Sequence, residues 1–130
     1  MAATPQSQAV LRASAAKIEN CRVIEGQNAI DLVMRRTDLI ITITVPREVE
    51  EWFVDVEEPA TGLKARDWYD YAGYESRGSQ NLDRDMAEDL KSFIENLVGK
   101  PLRIRAPSPR EAGGVLEWQI GGAWTRAVPG

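Results

Sequence analysis

The sequence predicts an α+β fold: an antiparallel β-meander with two helices packed on one face and a C-terminal β-hairpin. Three observations predict it. Through residues 22–71 apolar side chains alternate at period two, and only short turns separate the runs. Such links enforce antiparallel pairing, because parallel strands need long crossovers. Through residues 82–97 the apolar positions recur at three- and four-residue steps, the spacing of one helical face. Near the end, Gly121-Gly122 divides two alternating runs at the two-residue spacing of a tight hairpin. With 130 residues and 14.5 kDa, the chain is expected to form one domain, residues 1–130.

The first helix is expected within residues 1–20. Thr4-Pro5 supplies a capping side chain and a proline at the first helical position, where a missing N–H costs nothing. Leu11, Ala15 and Ile18 form a narrow apolar stripe, so this Ala-rich helix must lean on a sheet or a second subunit. After Cys21 to Glu25 the pair Gly26-Gln27 turns the chain. Ile30, Leu32 and Met34 then alternate with Asp31, Val33 and Arg35, and Arg36-Thr37-Asp38 makes a short turn. Leu39, Ile41, Ile43 and Val45 define one face of the strongest strand, which Pro46 ends. Trp52, Val54 and Val56 mark the next strand. Residues 58–62, with Pro59 and Gly62, reverse the chain into a strand over residues 63–71.

Residues 73–80 read as loop. Leu82, Met86, Leu90, Phe93, Ile94 and Leu97 then line one face of an amphipathic helix over 81–98, with Gly99 as C-cap and Pro101 blocking continuation. Asp83, Asp85, Glu88 and Asp89 load its first turns, favouring the positive end of the helix dipole and forming a solvated face. Residues 102–128 supply a strand, with Leu102 and Ile104 alternating against Arg103 and Arg105, and then the hairpin. In the hairpin register Glu117 opposes Arg126 and Gln119 opposes Trp124. Leu116, Trp118 and Ile120 then face the core and Trp124 takes the polar face. There it is either an interface anchor or is covered by residues 1–20.

Composition removes whole classes of chemistry. The chain contains no histidine, the usual general base near neutral pH and the commonest metal ligand. Cys21 is its one cysteine, so no internal disulfide and no Cys-rich zinc site can form, consistent with a cytoplasmic setting. Phosphate-cradle motifs are absent, and so are a signal-peptide core and a run of membrane-spanning length. No cofactor, metal or membrane is expected. Residues 46–95 hold fourteen acidic against six basic side chains, a net −8, while the remainder nets +4. An acidic centre repels phosphate backbones and attracts cationic surfaces, so the expected partner is a protein with a basic surface and not nucleic acid.

Within that centre, residues 67–75 hold four of the nine aromatic side chains, interleaved with three carboxylates. Asp67, Trp68, Tyr69, Asp70, Tyr71, Tyr74 and Glu75, together with Trp124, are the candidate partner-binding residues. Tyr and Trp bury large rigid area with a polar handle, and the carboxylates suit an Arg- or Lys-rich surface. On a strand over 63–71, Asp67, Tyr69 and Tyr71 point one way, and Trp68 and Asp70 the other. The alternative packs Trp68 and Tyr71 under the helix and leaves the carboxylates to cap turns. A divalent cation on Asp67, Asp70 and Glu75 lacks calcium-loop spacing.

The function expected is therefore a non-catalytic acidic protein-binding module. Its most specific form is an inhibitor or immunity-type protein that neutralises a basic partner such as a bacterial toxin. The competing readings are a small hydrolase using Asp67, Asp70 or Glu75 as base, and a secretion chaperone or self-associating module. The last would place Trp124 and the first helix in a homodimer interface.

Overall fold

The computed structural model describes residues 4–71, 81–110 and 113–129. Helix α1 (Pro5–Lys17) leads into a five-stranded antiparallel meander: β1 (Cys21–Glu25), β2 (Ala29–Arg36), β3 (Leu39–Pro46), β4 (Glu51–Glu58) and β5 (Leu63–Asp70). Helix α2 (Leu82–Gly99) follows, then a three-stranded sheet of β6 (Leu102–Arg105), β7 (Val115–Ile120) and β8 (Ala123–Arg126). The strands pair in sequence order, as short links require.

Alternation decides which sheet face is covered. Ile30, Leu32 and Met34 of β2, Ile41, Ile43 and Val45 of β3, and Trp52, Val54 and Val56 of β4 are all buried. They meet Leu11 of α1 and Met86, Leu90, Phe93, Ile94 and Leu97 of α2 in one core. Among the described residues, no helix packs on the opposite face of the large sheet.

Phe93 carries the second junction. Its ring lies 5.1 Å from Trp52 of the large sheet and 5.4 Å from Trp118 of the small one. Gly114, just before β7, brings the small sheet against the edge of β5, its amide donating to the Lys64 carbonyl at 2.9 Å. A Cβ at Gly114 would stand 2.6 Å from that carbonyl oxygen and 2.7 Å from Ile104 Cγ2. At the hairpin tip Gly121 and Gly122 both take positive φ, the backbone of a type I′ turn. Glu117 opposes Arg126 and Gln119 opposes Trp124, the register that the glycine pair predicts.

The helix termini depart from the expectations. Thr4 occupies the N-cap position, but its hydroxyl does not cap; it is buried and donates to the carbonyls of Pro46 (2.8 Å) and Arg47 (3.1 Å). The cap comes from α2. The amides of Gln6 and Ser7 donate to the two carboxylate oxygens of Asp83 at 2.7 and 3.0 Å, and the Ser7 hydroxyl donates to the same group at 2.7 Å. Asp83, expected on a solvated face, is 8% exposed. Helix α2 is capped instead by Asn81, whose side chain accepts from the Arg84 amide at 2.9 Å. Its C-cap is Lys100, with Gly99 still helical, and Arg36 at the end of β2 donates to the Val98 carbonyl. Ile120, expected in the core, is 53% exposed; it is the last residue of β7, beside the Gly121-Gly122 turn at the hairpin tip.

Two variants test these junctions. Asp83→Ala leaves two first-turn amides of α1 unpaired and is expected to cost about 2–3 kcal/mol in urea unfolding. Native-state hydrogen exchange should show the loss concentrated in α1. Gly114→Ala forces backbone apart, with an expected cost of about 1–3 kcal/mol and early exchange of β6 to β8.

Candidate interaction surface on the open face of the sheet

Strand β5 divides the predicted binding residues between its two faces. Inward, Asp67 forms an ion pair with Arg126 of β8. Tyr69 is half-buried, its ring 4.6 Å from Trp52 and 6.5 Å from Phe93, with its hydroxyl donating to the Ala127 carbonyl at 3.4 Å. Tyr71 is 3% exposed; its hydroxyl donates to Asp89 of α2 at 2.6 Å and accepts from the Trp52 indole at 3.3 Å. These three hold the sheets and α2 together. They do not present a surface.

Outward, the register aligns Ile24, Asp31, Thr44, Phe53 and Trp68 in one row across all five strands. Trp68 is 55% exposed. Its indole N–H donates to Glu51 at 2.8 Å, which holds the ring in place at the surface. Glu51 in turn lies directly opposite Asp70. Trp68 and Asp70 are the predicted residues that the fold brings onto one surface. Trp124 is elsewhere, half-buried on the polar face of the small sheet, where the Arg103 guanidinium sits 4.3 Å from its ring centre. Arg103 lies over its ring. Tyr74 and Glu75 lie outside the described residues, as does the loop expected before α2.

Charged side chains on the open face stand in cross-strand pairs. Asp55 pairs with Arg66 at 3.0 Å and Glu57 with Lys64 at 3.6 Å, both across β4 and β5. Beyond the Phe53–Trp68 pair on the same strands two carboxylates, Glu51 and Asp70, lie opposite each other. Like charges directly opposed across strands destabilise a sheet. Glu48 and Glu50 in the preceding connection add to the same corner, and Val49 between them is 46% exposed. Arg47 does not offset them, since its guanidinium is drawn to the Gly26 carbonyl, Gln8 and Glu25. Residues 63–71 alone conceal Glu51, Phe53 and Val49. The signal that reaches them is the parity of β4, whose outward positions follow from Trp52, Val54 and Val56 facing in.

Chemistry by carboxylate pairs fares differently. Asp67 and Asp70 point to opposite faces of β5, so they share no pocket. Among the described residues no cluster of three or more His, Cys, Asp or Glu side chains is set to hold a metal ion. Burial raises the pKa of Cys21, away from thiolate reactivity. No helix among the described residues is long and apolar enough to cross a membrane. No family model, curated protein or solved structure matches the chain.

Burial, and then the Asp67 charge, push the Tyr69 phenol up from 10.0 to about 12, with Arg126 opposing. The protonated form is favoured by folding, so its stabilisation is complete below about pH 10 and is lost as pH rises through about 12. Near-ultraviolet titration should find Tyr69 ionising late, earlier in Asp67→Asn and later in Arg126→Gln.

Proposed function

We propose that this protein is a non-catalytic binding module that grips a basic protein through the corner formed by Trp68, Val49, Glu51 and Asp70. An inhibitor or immunity-type protein that neutralises a toxin is the most specific form of this reading, in a reducing cytoplasmic setting. The observation that carries it is the exposed Trp68, held by Glu51 on the sheet face opposite the helices, where Glu51 and Asp70 lie across from each other.

Physical chemistry supports the pairing in three steps. An indole fixed at the surface loses little rotamer freedom on binding, so its apolar area counts almost fully toward affinity. A guanidinium or ammonium from the partner can stack on the ring and meet carboxylates at its edge. The same cation meets two carboxylates, Glu51 and Asp70, set opposite each other across β4 and β5. Recognition of this kind speeds association and weakens with salt.

The test begins with capture of partners from an extract of the source organism, followed by titration of the captured protein. Trp68→Ala should weaken binding by about 30-fold, the scale of an aromatic hot spot, and leave the melting temperature nearly unchanged. Glu51→Gln should slow association and flatten its salt dependence. Equal affinity for wild type and Trp68→Ala, or a complex indifferent to salt, would count against the proposal.

A further inference from the structure

A second surface lies on the other side of the molecule and is independent of the open-face reading. Helices α1 and α2 run in the same direction: Ser7 meets Asp83 at their N-terminal ends, and Lys17 and Ile18 share a groove with Val98 and Gly99 at the other. The groove between them has a volume of about 690 Å³ and a chiefly apolar lining. Its walls are Ala9, Val10, Ala13 and Ile18 on one side, and Ile94 and Val98 on the other. The two alanines are what leave it open. They are exposed, and a larger side chain at either would fill the space.

Polar groups at the groove are few and biased in sign. Lys17 of α1 and Lys91 of α2 border it from facing walls, with Glu95 and Ser14 as the other polar liners. That local excess of positive charge stands out in a chain of net charge −4. The volume falls within the range of small-ligand sites, which combine apolar walls with a few placed polar groups. We infer that this groove binds a single-chain anionic amphiphile, its hydrocarbon tail along the apolar walls and its carboxylate or phosphate head between Lys17 and Lys91. A second copy of the chain suits the groove poorly, because its α1 would bring Arg12 and Lys17 toward Lys17 and Lys91.

Calorimetric titration with decanoate, below its micelle concentration, tests the inference, with decyltrimethylammonium as the probe of opposite head charge. Decanoate should saturate at one per chain, and octanoate, two methylenes shorter, should bind about tenfold more weakly. Ala13→Leu and Ala9→Leu should each abolish binding, whereas Ala16→Leu, exposed outside the groove, should not. Circular dichroism and melting of all three variants serve as the folding check. Lys17→Gln with Lys91→Gln should weaken decanoate and leave decyltrimethylammonium unaffected. Equal binding of both head groups, no saturable binding, or insensitivity to Ala13→Leu and Ala9→Leu overturns it. So does a dimer in light scattering that Ala13→Leu dissociates.

Discussion

A carboxylate borrowed by one helix from another is the constraint on which the rest of this structure depends. Helix α1 buries Leu11 fully but little else that is apolar, too little to hold an Ala-rich segment in place by area alone. Its first turn is nevertheless fully paired. Pro5 has no N–H, Gln6 and Ser7 donate to Asp83, and Gln8 donates to the Thr4 carbonyl. Asp83 also lies where two parallel helices bring their positive ends together, so one negative charge offsets a repulsion between aligned dipoles. At the far end Arg36 answers for the carbonyl end of α2. Charged side chains from neighbouring elements thus set the register of α1 on α2. That register in turn leaves a groove between the helices and keeps both on one face of the sheet.

The aromatic residues divide into those that assemble and those that face outward. Trp52, Tyr69, Phe93 and Trp118 form a continuous chain of ring contacts that joins the large sheet, α2 and the small sheet. Each ring adds apolar area where three elements meet, and Tyr71 ties its polar tip to Asp89 so that no buried hydroxyl goes unpaired. Trp68, one residue from Tyr69, has none of these contacts. The pleat sends it to the opposite face, where its single hydrogen bond goes to Glu51. Adjacent residues in one strand therefore serve opposite purposes, cohesion and display.

Charge follows the same division. The acidic excess of the centre is partly spent inside the fold: Asp83 caps α1, Asp89 accepts from Tyr71, and Asp67 joins Arg126 across the two sheets. On the open face Asp55 and Glu57 are matched by Arg66 and Lys64. At the end of β4 and β5, beside Trp68, Glu51 and Asp70 stand opposite each other. Overall acidity is thus a poor guide to the location of a cationic partner. The placing of carboxylates beside an exposed ring is a better one.

Much of the fold was legible in the chain because it rests on local rules. Period-two alternation marked the buried faces of β2, β3 and β4, since side chains of a strand must point alternately to either side. The Gly121-Gly122 spacing set the pairing of Glu117 with Arg126, because only a two-residue turn of positive φ closes there. Strand parity split Asp67, Tyr69 and Tyr71 from Trp68 and Asp70, but the sequence alone could not tell which of the two faces is covered. By itself the sequence determined the elements, their order and their apolar faces. The tertiary structure decided what each polar side chain is for. Asp83 could serve its own helix or another, Trp124 could stand free or lie beneath Arg103, and Trp68 could be covered or open. Those choices depend on which distant groups arrive nearby, and no local period encodes that.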